Sequence, residues 1–345
     1  MTESPAGASR SDRAAAAVIG TGVVGGRIVR HLLSAMPSGE VLVNDVRDGV
    51  AASVARATGT RAVECDLDRA LAARIVVIAT PNPQYELAAR AVALGSSVVT
   101  TTDELDDVNR VLQLGPRARA AGATVVAAAN VTPGLSGLLA RILCDQLDEA
   151  DEIHVAAHGT AGWSCARQHH RALSGVALGW HDGEWIERPA GSGRELCWFP
   201  DPVGALDCYR AEMSDPLVLH SAFPSVERIS ARISATRRDR LTARLPMLSP
   251  PHHEGAIGAV RVEVRGAREG AREAFVVGVA ERTGTAAAIV AGTTALALLD
   301  GTIDLPGVVV LGDRRLPTEI LVERMRAGGL GVDEFVGTGG TGSTW

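Results

Sequence analysis

AAAAVIGTGVVGGRIVRHL, residues 14–32, decides the fold. A short apolar run ends at Gly20, and beyond it Val24, Ile28, Leu32 and Ala35 recur at helical spacing. The junction is Gly20-x-Gly22-x-x-Gly25. In a strand-to-helix turn the first glycine permits the bend and the second lets a pyrophosphate approach the backbone. The third lets helix and strand pack closely, while the helix N-terminus faces the anion.

In a chain with 38 glycines such spacing can arise by chance, so context has to carry it. A second apolar run, EVLVNDV (40–46), carries Asp45, which follows Gly25 at the distance of an acid that accepts the adenosine ribose hydroxyls. The candidate strands RAVECD (61–66), RIVVIAT (74–80), SVVTTT (97–102) and TVVAAAN (124–130) then alternate with helical segments 83–94, 104–113 and 116–121. That alternation predicts a doubly wound parallel sheet, an α/β Rossmann arrangement. Ligands in such sheets lie beyond the carboxyl ends of the strands. The expected cofactor contacts are therefore Gly20, Thr21, Gly22, Val23, Val24 and Gly25, then Asp45, Val46 and Arg47, Asp66 and Leu67, Ala79, Thr80, Pro81 and Asn82, and Asn130. The loop at 101–103 ends another strand on the same side. Asp45 points to NAD, because a carboxylate repels a 2′-phosphate, whereas Arg47 leaves NADP open. After the last strand, residues 131–147 are expected to form a helix with Thr132 as N-cap and Pro133 in its first turn.

Composition narrows the function classes. Charged residues make up 21 % and hydrophobic ones 46 %, as in an ordinary globular protein. A net charge of −6 gives no electrostatic case for nucleic acid. All 34 Lys-plus-Arg residues are arginine, so a lysine Schiff base or lysine general base is excluded. Five cysteines with no CxxC pair, and no apolar leader before them, lead us to expect free thiols in a cytoplasmic protein. The uncharged stretch at 284–299 is too short and too rich in Ala, Gly and Thr for a membrane span, and is expected to be a buried helix. No metal is expected: Cys165 and His169 have helical ligand spacing, but Cys197 and Cys208 form no second tight pair.

The polar chemistry concentrates in HGTAGWSCARQHHRAL (158–173). DEIHVAAHG (151–159) alternates as a half-buried strand, and Ser164 is expected to cap a short helix over CARQHHRAL. On that helix Arg167 and Arg171 share a face with His170 alongside, while Cys165 and His169 share another. Arg167, Arg171 or Arg237 would hold a substrate carboxylate, and His169 or His170 would handle a proton. His252 and His253 are held in reserve as acids. GWHDGEW (179–185) predicts a hairpin turning at Asp182-Gly183, and RELCWFPDPVGALDC (194–208) an ordered loop. AVRVEVRG (259–266) and AFVVGVAE (274–281) predict paired strands of a second sheet.

VIGTGVVGGRIVRHL (18–32), VIATPNPQYELAARAVALGSSVVTTTDE (77–104), AAANVTPGLSGLLAR (127–141) and GVAERTGTAAAIVAGTTALALLDGTIDLPGVVVL (278–311) together resemble the saccharopine dehydrogenase-like family. The likeness is to the branch containing saccharopine reductase and carboxynorspermidine dehydrogenase. It covers roughly 14–147 and 276–325 and is weak between them. It implies NAD(P)-dependent chemistry at an imine or secondary-amine C–N bond of an amino-acid-derived substrate, a carboxylate-bearing amine or keto acid. It also implies a homodimer built through an inserted α+β substrate domain. The organisation expected is a disordered tail over 1–13, a nucleotide domain over 14–147, a substrate and dimerisation domain over 148–283, returning helices over 284–336 and a flexible tail from 337. Two other functions fit the same residues: reduction of a different carbonyl or enamine, and NAD(P) binding without turnover.

Overall fold

The computed structural model describes residues 13–247, 255–335 and 341–342. The expected end tails and the reserve acids His252 and His253 lie largely or wholly outside them.

Strands and helices alternate through the first half: β1 (Ala16–Ile19), α1 (Val23–Ala35), β2 (Val41–Asn44), α2 (Val50–Ala57), β3 (Ala62–Glu64), α3 (Leu67–Leu71), β4 (Ile75–Ile78), α4 (Tyr85–Ala93), β5 (Ser97–Thr100), α5 (Leu105–Leu112), α6 (Gly115–Ala120), β6 (Thr124–Ala127) and α7 (Leu135–Cys144). β1 and β4 are buried at every residue, as strands covered by helices on both faces must be. The chain then builds β7 (Glu149–His158), α8 (Trp163–Ala172), β8 (Val176–His181), β9 (Glu184–Pro189), β10 (Glu195–Trp198), β11 (Ala205–Arg210), α9 (Asp215–Ala222), β12 (Arg228–Ser234), α10 (Arg237–Thr242), β13 (Ile257–Arg268) and β14 (Ala271–Arg282). It returns through α11 (Thr283–Leu299), β15 (Gly307–Val310) and α12 (Thr318–Ala327), and ends in β16 (Asp333–Phe335) and β17 (Thr341–Gly342).

The first sheet is parallel, in the order β15-β6-β5-β4-β1-β2-β3. The order turns back at β1 and β4, which opens a crevice beyond their carboxyl ends. The second sheet is mixed, with β7 between parallel β12 and antiparallel β13. Along β7 Ile153, Val155 and Ala157 are buried and His154 and His158 on the other face bond to Ser230 and Ser234 of β12, but Ala156 between them is buried too, under the β10–β11 hairpin.

α11 is apolar on all sides and accordingly buried on all sides, packed on α1 and reaching β4 and β5. Among the described residues no helix is long and apolar enough to cross a membrane.

Three local expectations differ from the structure. α7 begins at Leu135 with Gly134 as N-cap, because the chain first closes a tight loop through Leu135 N–H to the Asn130 carbonyl at 2.9 Å. Thr132 therefore lies before the helix. α8 starts at Trp163 with Gly162 as N-cap, so Ser164 is inside it. The stretch expected to be an ordered loop forms the hairpin β10–β11, whose Cys197, Phe199 and Cys208 make a small core with Ala156 and Ala259.

Gly137 places α7 against the β15 end of the first sheet. A Cβ there would run into the Leu311 carbonyl, a backbone atom that cannot turn aside. Gly137→Ala is expected to lower unfolding stability by about 1–3 kcal/mol through overpacking, despite alanine's better helix propensity. A shifted denaturant midpoint at unchanged slope checks this.

Candidate active site

The glycine turn divides its work as the spacing predicts. Gly20 has φ +87°, and a side chain there would press on the backbone of Ala79 and Thr80. Gly25 lets α1 settle on β1, since a Cβ would collide with the Gly20 carbonyl. Gly22 opens into a cleft of about 720 Å³ between the two sheets.

Of the expected cofactor residues, Gly20, Gly22, Val23, Val24, Asp45, Val46, Arg47, Leu67, Ala79, Thr80, Pro81, Asn82 and Asn130 line this cleft. Thr21, Gly25 and Asp66 do not. Thr21 is buried behind the turn and donates its N–H and hydroxyl to Asp45 Oδ2 at 2.8 and 3.2 Å. Asp66 caps α3 through the Arg69 N–H. Val46 is 95 % exposed, an apolar side chain left at the mouth.

Three helix N-termini converge on the cleft: Val23 of α1, Trp163 and Ser164 of α8, and Thr283 of α11 all line it. None of the three carries a side-chain cap or an acid in its first turn. Their ends are close, for a Cβ on Gly162 or Gly284 would touch Val23. The uncapped amides leave a positive potential suited to an anion. The hydroxyls of Thr80 and Thr283 are buried at the same cleft without partners among the described residues. A dinucleotide fits this donor set: glycine backbone for its pyrophosphate, an acid for a ribose, and orphan hydroxyls further in.

Asp45 is held firmly. Its side chain is 3 % exposed, and it receives Arg47 N–H at 3.0 Å and the Arg47 guanidinium at 2.9 Å on each oxygen. Burial pushes its pKa up, but the hydrogen bonds from Arg47 and Thr21 outweigh it and hold the group at about 2.

At the opposite end, Asp103 lies where three side chains meet. Asn82 Nδ2 and Gln168 Nε2 donate to its Oδ1 at 2.9 and 2.8 Å, and Asn82 Nδ2 also reaches Gln168 Oε1 at 3.2 Å. Burial raises the Asp103 pKa against these two hydrogen bonds. Asp107, behind it, accepts the Gln84 and Tyr85 N–H groups, so the loop carrying Asn82 is anchored. Cys165 lines the cleft nearby, its thiol pushed by burial to about 12. An annex of about 360 Å³ continues past Asp103, lined by Arg167, Arg171, Glu104 and Glu212.

The expected proton carriers lie elsewhere. His170 Nε2 sits 3.0 and 3.1 Å from the carbonyls of Thr242 and Leu245, pinning the segment after α10. Burial lowers the His169 pKa, and a bond to the Ser234 backbone opposes it. Among the described residues no histidine lines the cleft or the annex, and exposed Arg237 lines neither. Arg167 and Arg171 are brought together, on the annex wall. Asp103, in the strand-end loop at 101–103, is the site residue missing from the expected contacts.

No family model matches this chain, and no curated sequence does. Among solved structures, saccharopine dehydrogenase (L-Glu forming) from Saccharomyces cerevisiae matches with a TM-score of 0.71 at 15 % identity, over 93 % of this chain and 99 % of that one. The chain has a saccharopine-dehydrogenase-like fold. DAP dehydrogenase from C. glutamicum in complex with DAP matches at TM-score 0.49, 14 % identity and 90 % and 98 % coverage. An engineered D-amino acid dehydrogenase bound to NADP+ matches at 0.48, 14 %, 87 % and 94 %.

The depressed Asp45 pKa makes a stability prediction. Its contribution is fully present above the ordinary carboxylate pKa of 3.8 and is lost as pH falls toward about 2. Denaturation monitored across that window is expected to show a shallower acid limb for Asp45→Asn than for the wild type. Parallel limbs would contradict it.

Proposed function

We propose that the protein is an NAD(P)-dependent oxidoreductase acting on the C–N bond of an amino-acid-derived substrate that bears a carboxylate. One observation carries the reading: a cleft with a glycine turn and an ionised acid shares Asp103 and Gln168 with an annex that Arg167 and Arg171 line together with Glu104 and Glu212. The saccharopine-dehydrogenase-like fold supports it.

Gly22, Val23 and Val24 would hold the pyrophosphate on the α1 amides, and Asp45 would accept the ribose hydroxyls. Thr80, Pro81, Asn82 and Asn130 would surround the nicotinamide. When bound, the nicotinamide supplies or accepts a hydride. Arg167 and Arg171 would take the distal carboxylate of the substrate, with donors arranged for a planar anion. The absence of lysine from the whole chain excludes a covalent imine with the protein.

NAD is favoured over NADP because a 2′-phosphate would lie beside the Asp45 carboxylate; the Arg47 guanidinium, which bonds both Asp45 oxygens, has to swing aside for the ribose of either dinucleotide. A second reading, nicotinamide binding without turnover, is favoured by one observation: no histidine among the described residues lines the cleft.

Calorimetry with NAD, NADH, NADP and NADPH tests the cofactor assignment. Asp45→Ala is expected to weaken NAD(H) by about 10- to 100-fold, the worth of hydrogen bonds to a charged group. Arg47→Ala is expected to change NAD(H) affinity less than Asp45→Ala and to reduce any affinity for NADP(H). If none of the four binds, the proposal fails. Nicotinamide oxidation on adding an amine together with a keto acid, but not with a keto acid alone, checks the C–N assignment.

A further inference from the structure

We infer that Asp103 supplies and recovers the proton on the reacting nitrogen, and that Gln168, reaching across from the second sheet's helix α8, is the positioning residue that aims it. The inference rests on the oxidoreductase reading above and names the group that reading leaves unassigned.

Pro81, Asn82, Asp103, Ser164 and Gln168 line both the cleft and the annex, so a substrate whose tail occupies the annex passes them on its way to the nicotinamide end. Asp103 is the titratable carboxyl at that junction.

The Asp103 carboxyl is also held in one orientation. Oδ1 accepts from Asn82 at 2.9 Å and from Gln168 at 2.8 Å, while no other side chain bonds to Oδ2 among the described contacts. Ser214 donates its hydroxyl to the Asp103 carbonyl at 2.9 Å, tying down the backbone as well. Oδ1 is thus fixed by two side-chain amides and the carboxyl is further steadied by the Asp103 backbone N–H, so the group is held in one orientation at the junction. The two anchors come from different layers, Asn82 from the loop after β4 and Gln168 from α8. Aim therefore depends on the two sheets being held together.

Asp103 faces Asp107 and Glu104 of the α5 region, Cys165 of α8, and buried Asp215 at the start of α9. Glu212, Arg167 and Arg171 stand on the annex wall. Burial and the Asp107 charge favour the protonated carboxyl, while the two amides favour the carboxylate. That balance suits a group that must both give and take a proton.

In the reductive direction the C=N π bond breaks, and the carbon takes a hydride from reduced nicotinamide, which is oxidised. The nitrogen forms its N–H bond with the Asp103 proton, leaving Asp103 as a carboxylate that solvent reprotonates. In the oxidative direction Asp103 as carboxylate accepts the nitrogen's proton.

The test has two readouts, one of which needs no substrate. Difference infrared titration of wild type against Asp103→Asn isolates the Asp103 carboxyl stretch. It is expected to titrate above the ordinary carboxylate range, and to move to higher pH in Gln168→Ala, because losing an amide donor removes support for the carboxylate. Titration at or below the ordinary range, or no movement in Gln168→Ala, overturns the inference.

The second readout is turnover. Asp103→Asn is expected to lose about 100-fold or more while NADH affinity stays within about twofold, and Gln168→Ala is expected to shift the alkaline limb of the rate profile upward. Turnover retained by Asp103→Asn overturns the Asp103 assignment alone, whereas wild type that binds no NADH overturns the underlying reading. Should Asp103→Asn fail to fold, the alkaline limb of the rate profile in Gln168→Ala decides the inference, and a limb that does not move overturns it.

Discussion

Three helices without side-chain caps bring their N-terminal ends to one cleft, and the rest of the site is arranged around that positive concentration. Each such end behaves as roughly half an elementary charge. Bringing three together without a side-chain cap or a first-turn acid is unfavourable unless an anion shares the space. α1 comes from the first sheet, α8 from the second, and α11 links β14 back to the first sheet. The convergence therefore requires the whole chain, and the small residues Gly162 and Gly284 beside Val23 are what let the ends approach.

Around this centre the two sheets contribute different chemistry. The parallel sheet offers backbone: the glycine turn, the α1 amides and the strand ends, with Asp45 fixed by Thr21 and Arg47. The mixed sheet offers side chains through α8, whose residues 164, 167, 168 and 171 face the cleft and annex. They meet at Asp103, where Asn82 from the first sheet and Gln168 from α8 bond the same oxygen and each other.

Local signals made the first sheet legible. Gly20, Gly22, Gly25 and Asp45 are close in sequence, and each role follows from the backbone geometry of one turn. Long-range packing made the rest hard to read. The helical period correctly paired Arg167 with Arg171, but the identity of the neighbouring faces is not a sequence property. His170 is captured by carbonyls some seventy residues away, and His169 by the end of β12. Asp103 was visible as a residue at a strand end. Its importance comes from burial and from Gln168, both supplied by α8 folding back over the first sheet. The β10–β11 hairpin was obscured similarly, since its Pro-rich turn hides the alternation that packs Cys197 and Cys208 inward.

The central claim, a nicotinamide dinucleotide lying in this cleft, is tested most directly by energy transfer from Trp163, which lines it. NADH titrated into the protein with excitation of tryptophan is expected to give saturable sensitised nicotinamide emission, weakened in Trp163→Phe at unchanged NADH affinity. Saturable binding with sensitised emission identical in the variant would put the nicotinamide elsewhere, and no saturable emission in the wild type would contradict the account.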